Sequence, residues 1–556
     1  MINKEQILNE YYSKLDEISK LSLNDDQKQL IKDILKALIN QENCDEEKFV
    51  NAYQLLIKRV KTGFVFDIAP NANNTTYTYL SKNEDKSVKG KMSDKNTLII
   101  GENYDALKSL IFIENQRERE RESNNYLYDV IYIDPPYNTE HAAKDGNGIA
   151  DDKENKENKK FIYRDKFSRN GWLNMMQERL VLARKLLKED GVIFVSIDDS
   201  EHAYLKVLMD EIFGEENFIA NLNYQKKNSG SAADAKYIKQ LTEYVLFYSK
   251  NINQLKLNSI KQDIDGDSSY KESDQYEAYR GKFKLNQLDR ASLTWSEGLD
   301  YPITIDNIVY YAGGSEDNWK LRKSGNHAQK DWRWRWSEKK VKWGLENDFI
   351  VVKNGKIYSK QYQYVDENNN PLERTSKFSN IIEASQNTVG TEEQKNIFNR
   401  KVFDHPKPVD LIKYLLNMTS NKNARVLDFF AGSGTTAHAV MDLNREDDGN
   451  RTFTLVTNNE NDTGYGIAYE RIYRISQGKG TDGESFKWLK KNEPYNIGFN
   501  IYDIQQMDLS ISNNKDVKEF EMNVVNMLKN FGLEKPEEIE LIKLRALKTI
   551  DKEQHE

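Results

Sequence analysis

Apolar positions along the chain follow two rhythms. Near the N-terminus, Ile7, Leu8, Tyr11, Tyr12, Leu15 and Ile18, then Leu30, Ile31, Ile34, Leu35 and Leu38, recur at helical spacing and predict amphipathic helices over residues 1 to about 60. From Thr97 onward the pattern changes to short apolar runs closed by polar stops, at 97–100, 130–133, 192–197, 425–428 and 453–456. Runs without alternation predict strands covered on both faces, as in a parallel sheet. Helical stretches separate them. One starts near Tyr104, one follows Gly434, and one spans 175–187 with Met176, Leu180, Ala183 and Leu187 on a single face and Gly191 as its stop. Residues 218–224 and 244–248 predict a closing pair of strands. Asp198 and Asp199, followed by Ser200 and Glu201, read as the entry to a helix rather than as an acid–base pair. Strand and helix in alternation predict an α/β fold, a Rossmann-like sheet with helices on both faces.

Four stretches break this pattern. Residues 70–95 are rich in Asn, Ser, Lys and Thr and predict a linker, and 142–160 is low-complexity sequence expected to loop beside the active site. RERERE at 117–122 predicts a solvated charge run. Residues 250–395 are polar, Tyr-rich and short-stranded, with no strand–helix alternation, and predict an inserted α+β domain. Residues 476–556 end in charged helical sequence over 516–531 and 537–547. Packing onto the domain and an interface for another chain remain equal readings there.

Composition narrows the class. Of 556 residues, 31% are charged, and no apolar run approaches the ~20 residues of a membrane span. The N-terminal segment lacks the apolar core of a signal peptide. Cys44 is the only cysteine, which excludes an intramolecular disulfide framework and a cysteine zinc cluster. A cytoplasmic location is expected. With a net charge of -8, contact with nucleic acid has to come from local patches. The strongest such patch is 319–343, where nine Lys or Arg face two acids and five of the eight tryptophans fall. Trp332-Arg333-Trp334-Arg335-Trp336 alternates as a strand would, with rings on one face and guanidinium groups on the other. Arg333 and Arg335 are therefore candidate DNA contacts, as are Lys226 and Lys227 in the loop after 218–224.

Two stretches carry chemistry. The buried run 130–133 stops at Asp134-Pro135-Pro136-Tyr137, because prolines cannot donate ladder hydrogen bonds. A carboxylate, a carbonyl on a stiff backbone and an aromatic ring then stand at the carboxyl end of a strand, where open α/β sheets place ligands. This set suits methyl transfer to an exocyclic amine of a nucleobase: Asp134 and the Pro135 carbonyl accept the two N–H bonds, and Tyr137 stacks on a base that has left the helix. The second stretch is 426–436, VLDFFAGSGTT, a strand running through Gly432-Ser433-Gly434 into a helix. Glycines admit close backbone approach and the helix start offers N–H groups to a carboxylate. Glu460, 26 residues after Gly434, lies at a suitable interval for a ribose-binding acid. A third glycine is missing, which disfavours a nicotinamide dinucleotide site, and no Gly-Lys-Ser/Thr ending marks a phosphate-binding loop.

Asp134-Pro135-Pro136-Tyr137 followed by Asp428-Phe429-Phe430-Ala431-Gly432-Ser433-Gly434 resembles the amino-group DNA methyltransferases in their permuted order, catalytic motif first, then target-recognition domain, then cofactor turn. YIDPPYNT, 172–218 and LTEYVLFYSK at 241–250 resemble the modification subunits of type III restriction-modification systems. The resemblance implies an S-adenosylmethionine-dependent, metal-free transfer to adenine N6, with Asp134, Pro135, Pro136 and Tyr137 catalytic. It implies that Asp428, Phe430, Gly432 and Gly434 meet the methionine part of the cofactor, Glu460 its ribose, Glu102 and Asn103 its adenine edge, and Lys407 its carboxylate. Glu102 stands where the family has Asp, and Glu140 where it has Gly. Double-stranded DNA, a second copy in a homodimer and a helicase-nuclease restriction subunit are the implied partners. An orphan or cytosine-N4 enzyme and a catalytically silent DNA-binding homologue are the alternatives. The expected domains are 1–95, a helical region and linker; 96–250, the catalytic half; 251–395, target recognition; 396–475, the cofactor half; and 476–556, a helical region.

Overall fold

The computed structural model describes residues 4–17, 25–41, 44, 46–57, 76–121, 127–137, 169–227, 238–292, 294–328, 331–382, 384–419, 421–508, 514–533 and 547. Ile18, the expected loop 142–160, Glu140 and the helix over 537–546 lie outside these residues. The chain divides into two compact units, Met1–Asn258 with Ser379–Glu556, and Ser259–Phe378. The insertion is thus shorter at both ends than the expected 251–395.

The larger unit is built on one ten-stranded sheet. Its strands are β1 (Thr76–Lys82), β2 (Thr97–Ile100), β3 (Tyr128–Ile133), β4 (Leu187–Ile197), β5 (Phe218–Gln225), β6 (Thr242–Ser249), β7 (Ile381–Ile382), β8 (Arg425–Asp428), β9 (Thr452–Thr457) and β10 (Asn500–Asp508). They lie in the order β1-β10-β2-β9-β8-β3-β4-β6-β5-β7. The stretch from β10 to β4 is parallel throughout. β1 and β6 run against their neighbours. Ile131, Ile133, Ile193, Val195 and Leu427 point to one face and join a core with α4 (Asn103–Arg121), α5 (Arg169–Leu186), α6 (His202–Phe213) and α11 (Asn514–Asn530). The alternate residues Val130, Tyr132, Val192, Phe194 and Val426 are buried too. This is the burial on both faces that the unbroken apolar runs predict. α7 (Asn387–Phe398), α8 (Val409–Asn417), α9 (Thr435–Asp447) and α10 (Glu470–Gln477) complete the helices of the second half.

Four expectations change. The helix expected to stop at Gly191 ends at Leu186, and Leu187 already pairs with Tyr128 in the sheet. A Cβ at Gly191 would stand 3.0 Å from the carbonyl oxygens of Lys188 and Tyr128, so the glycine serves a close backbone approach rather than a helix stop. The expected linker contains β1 and the expected helical C-terminus contains β10, paired with each other at the edge of the sheet. β1 reads TYTYLSK, and its tyrosines pack on Phe520 of α11. Arg117 of the charge run is not simply solvated: it pairs with Glu114 at 2.9 Å and donates to the Phe531 carbonyl at 2.6 Å. Finally, Asp198 accepts from the Ser200 amide at 2.9 Å in a turn before α6, while Asp199 accepts from Tyr244, so the acids shape the helix entry without a side-chain cap at Glu201.

The N-terminal helices α1 (Lys4–Asp16), α2 (Asp25–Ile39) and α3 (Glu46–Leu56) enclose a small core of Ile7, Leu15, Ile31, Leu35, Ile39, Phe49 and Tyr53. Leu30 and Ile34, expected on the same face, are 60% and 39% exposed. The buried stripe of α2 runs 31, 35, 39, and a helix of this length covers one stripe only.

The smaller unit carries a three-stranded sheet (Phe283–Gln287, Lys356–Tyr362, Ile350–Lys353) and a strand pair of Asp289–Ser292 with Asp331–Trp334. The Trp-Arg alternation does not form one long strand. It ends at Trp334, which is buried and donates to the Tyr301 carbonyl at 2.7 Å, whereas Trp332 is 38% exposed over Gly313. Arg335 and Trp336 lie beyond the strand. Inside this unit Arg322 and Asp300 form a buried two-point ion pair at 2.8 and 2.9 Å. Among the described residues no helix is long and apolar enough to cross a membrane.

Leu35→Ala, which empties a fully buried site in α2, is expected to cost about 2–5 kcal/mol. Leu30→Ala, one turn away, should stay within about 0.5 kcal/mol. Urea denaturation followed by limited proteolysis of the N-terminal segment distinguishes the two.

Candidate active site

Parallel strands present their carboxyl ends at one edge of the sheet, and the candidate residues collect there. β3 ends in Asp134, β8 in Asp428, β9 leads to Glu460 and β2 to Glu102 and Asn103. β3 and β8 are hydrogen-bonded neighbours, with Val426 opposite Val130 and Leu427 opposite Ile131. Two motifs almost 300 residues apart in sequence therefore end side by side.

The Asp-Pro-Pro-Tyr turn is held from several directions. The indole of Trp172, fully buried in α5, donates to the Pro136 carbonyl at 2.7 Å. Lys407, in the segment before α8, donates to Asp134 Oδ1 at 2.8 Å, Asp134 Oδ2 at 2.9 Å and the Tyr137 hydroxyl at 2.7 Å. Its ammonium also lies 4.8 Å from the Tyr137 ring centre, within range of a cation–π contact. Burial pulls the Lys407 pKa down, and the Asp134 and Glu243 carboxylates more than reverse this, leaving it above the ordinary lysine value. Burial, Asp134 and Glu243 hold the Tyr137 hydroxyl well above its usual range, so it stays a neutral phenol. Lys407 is thus committed to the catalytic turn, because an ammonium has three donors and all three are used. The resemblance implies a cofactor-carboxylate role for Lys407; its partners within the chain are Asp134, Tyr137 and Glu243.

The second motif forms a tight turn with Gly432 at φ 48° and Gly434 at φ 78°, a region where other residues are strained. Gly434 is the residue before α9. Asp428 is 2% exposed, accepts from the Phe430 amide at 3.0 Å and from Thr436 Oγ1 at 2.5 Å, and so ties the strand end to the helix start. Burial pushes its carboxyl up to about 7, against those two hydrogen bonds. Arg471 of α10, fully buried, donates to Thr435 Oγ1 at 2.7 Å and Ser433 Oγ at 3.2 Å, and clamps the turn from behind. Desolvation lowers this guanidinium to about 10, a sign of how dry its setting is.

At the end of β2, Asn103 is buried and its amide donates to the Phe429 carbonyl at 2.9 Å. Arg179 of α5 donates Nε to Asn103 Oδ1 at 2.5 Å and Nη2 to Glu102 Oε1 at 2.6 Å. Trp172 and Arg179 sit seven residues apart on one face of α5, so a single helix braces both the catalytic turn and the Glu102-Asn103 pair. Glu460 is exposed in a short helical turn after β9. Lys226 follows β5, with its Nζ 3.9 Å from Glu243 Oε2, and Lys227 adjoins it. Arg333 and Arg335 belong to the smaller unit, where Arg333 reaches Thr294 Oγ1 at 3.3 Å.

Sequence reasoning missed Arg179, Arg471 and Glu243. Glu243 had a signal: it is the one acid in the run 241–249, whose following residues form a buried strand. Arg179 and Arg471 lie on helices whose polar residues look solvent-facing in one dimension, and no pattern marked them.

The raised Asp428 pKa carries a sign. The folded carboxyl titrates near 7 and the unfolded one near 3.8, so the fold favours the protonated form. That stability is present below pH 4 and is lost as pH rises toward 7, by up to about 1.4 kcal/mol per pH unit. Asp428→Asn is expected to melt with the unchanged protein at pH 4 and above it at pH 8, by differential scanning calorimetry.

A family model described as DNA methylase matches residues 128–503, which takes in both motifs and the insertion. A second model, for an uncharacterised conserved protein, matches residues 8–122. The chain is 33% identical to the EcoPI Mod subunit of a type III restriction-modification enzyme of Escherichia phage P1, over 71% of this chain and 63% of that one. It is 34% identical to the StyLTI Mod subunit of Salmonella typhimurium, over 68% of this chain and 57% of that one. It is also 32% identical to the type II methyltransferase M.KpnI of Klebsiella pneumoniae, over 69% and 85%. The chain thus spans about three-fifths of the length of the two Mod subunits. Among solved structures, the M1.HpyAVI–SAM complex is 13% identical, with 68% of this chain and 98% of that one covered and a TM-score of 0.29. On the family model and the M.KpnI match, the chain belongs to the DNA methylase family.

Proposed function

We propose that this chain methylates adenine N6 in double-stranded DNA with S-adenosylmethionine, as the modification and recognition subunit of a type III restriction-modification system. The observation that carries the reading is the parallel pairing of β3 and β8, which sets the Asp134 carboxylate next to the Asp428–Gly434 turn. An amine acceptor and a cofactor cradle have to be neighbours for a one-step transfer. The similarity to two Mod subunits supports the system and, with it, adenine as the base.

The cradle fits the cofactor. A Cβ at Gly434 would meet nothing nearer than 3.5 Å, the turn is dry around Asp428, and Glu460 is exposed at the next strand end. Asp428, Phe430, Gly432 and Gly434 would hold the methionine part, Glu460 the ribose, and Glu102 with Asn103 the adenine edge, the latter pair fixed by Arg179. S-adenosylmethionine, when bound, supplies an electrophilic methyl group on sulfur. Asp134 and the Pro135 carbonyl accept the two N–H bonds of the target amine, leaving its lone pair free to point at that methyl. Tyr137 stacks on the flipped base, and its neutral hydroxyl stays on Lys407. Trp172 keeps the Pro135-Pro136 carbonyls in place. Catalysis is then chiefly positioning, a contribution on the order of 7–11 kcal/mol. Lys226, Lys227, Arg333 and Arg335 are the proposed DNA contacts, the last two in the proposed recognition unit. A helicase-nuclease subunit and a second copy of the chain are the proposed protein partners.

The test is incubation with labelled S-adenosylmethionine and unmethylated DNA, followed by digestion to nucleosides. Label is expected on N6-methyladenine, and label on N4-methylcytosine instead would reject the base assignment. Asp134→Ala should lower transfer roughly a hundredfold to a thousandfold, as for loss of a preorganised hydrogen-bonding group. Tyr137→Ala should cost about 1–3 kcal/mol of base stacking, read as weaker capture of 2-aminopurine placed at the target position.

A further inference from the structure

One buried acid beside the catalytic turn has no part in the reaction as described above. Glu243 lies in β6 opposite Tyr224 of β5, and its side chain is 3% exposed. Oε1 stands 3.3 Å from Lys407 Nζ, yet it accepts no hydrogen bond among the described residues. Oε2 faces Lys226 Nζ at 3.9 Å. Burial raises the Glu243 pKa and Lys407 opposes that shift. A buried carboxylate oxygen without a hydrogen bond is costly to the fold. A buried ion pair is also weak evidence for stability alone.

Counting donors and acceptors suggests a use for it. Lys407 has three N–H bonds, and all three are spent on the two Asp134 oxygens and the Tyr137 hydroxyl. A target amine needs one of those Asp134 oxygens. With no alternative acceptor, the ammonium would share the Asp134 oxygens with the amine and weaken them as acceptors, since each oxygen divides its two lone pairs between the donors. Glu243 Oε1 is that alternative: it is already within 3.3 Å of the same nitrogen, so a rotation about the Lys407 side chain transfers the displaced donor without moving the ammonium away.

We propose that Glu243 is a positioning residue for methyl transfer, the reserve acceptor onto which Lys407 turns when the target amine takes an oxygen of Asp134. The inference rests on the methyltransferase reading. It makes Lys407 a movable counter-charge that stays on Asp134 and Tyr137 throughout, with Glu243 acting only through it. Lys226, just after β5, balances the second Glu243 oxygen. Tyr224 is held elsewhere, by a hydrogen bond to Asn387 Oδ1 at 3.0 Å.

The experiment is a double-mutant cycle on single-turnover methyl transfer, at saturating S-adenosylmethionine and unmethylated duplex DNA, with Glu243→Gln, Lys407→Met and the pair together. The replacements are close in size to the originals, and a thermal melt with cofactor titration verifies the fold of each. Glu243→Gln is expected to slow transfer roughly tenfold, the scale of one weakened charge-assisted hydrogen bond, with DNA affinity unchanged. In the Lys407→Met background the same substitution should have no further effect, because no ammonium remains to be redirected. A structural role for Glu243 would give the same fold-loss in both backgrounds. That result, or a wild-type rate for Glu243→Gln, overturns the proposal and leaves the methyltransferase reading standing. Failure of the unchanged protein to label any DNA overturns the reading, and this role with it.

Discussion

The structure depends on the pairing of β3 with β8. Each strand is too short and too apolar to be stable unless both faces and both edges are covered, and each is the other's neighbour in the middle of the sheet. The two come from opposite sides of a 120-residue insertion, so their contact closes a very long loop. Loop-closure entropy grows only with the logarithm of length, each doubling costing about 0.6 kcal/mol. A permuted order of motifs is therefore cheap to maintain once the buried strands supply the driving force. The same pairing brings two carboxylates, Asp134 and Asp428, to one edge of the sheet.

Two acids at one sheet edge repel one another, and the structure gives them different settings. Asp428 is desolvated, hydrogen-bonded to Thr436 and the Phe430 amide, and has a carboxyl raised to about 7. Asp134 keeps a full counter-charge in Lys407. One acid thus shapes a turn and the other remains available as an acceptor. The difference comes from position: Asp428 is buried at its strand end, while the Asp134 side chain is part exposed.

The parts of this arrangement legible in sequence are those written in local pattern. Unbroken apolar runs announce the central strands, and Asp-Pro-Pro-Tyr and Gly-Ser-Gly announce the turns, because proline and glycine impose their conformations wherever they occur. The edge strands were not legible. β1 reads TYTYLSK, and its pairing with β10 and the packing of its tyrosines against α11 distinguish it from a polar linker. The bracing residues were illegible for another reason. Arg179 and Arg471 act across the fold, and nothing near them in the chain shows that their partners lie tens of residues away. Lys407 was marked by resemblance, but its contact with Asp134, 273 positions earlier, has no local signal in the chain.

The segments that flank the insertion are held within the larger unit. Its entry is held within the larger unit, where Asn258 donates to the Met418 carbonyl at 2.8 Å and its side chain to Asn417 and Thr419. Its exit is held too, by β7 on β5 and by the Asn223 amide donating to the Asn380 carbonyl at 2.7 Å. The entry segment is thus held at the end of α8 by the Asn258 backbone and side chain, and the exit segment on β5 by backbone hydrogen bonds. The smaller unit has cores of its own around Trp334 and Tyr362. Each unit thus carries its own buried core, so substitutions on the surface of the smaller unit leave both cores intact.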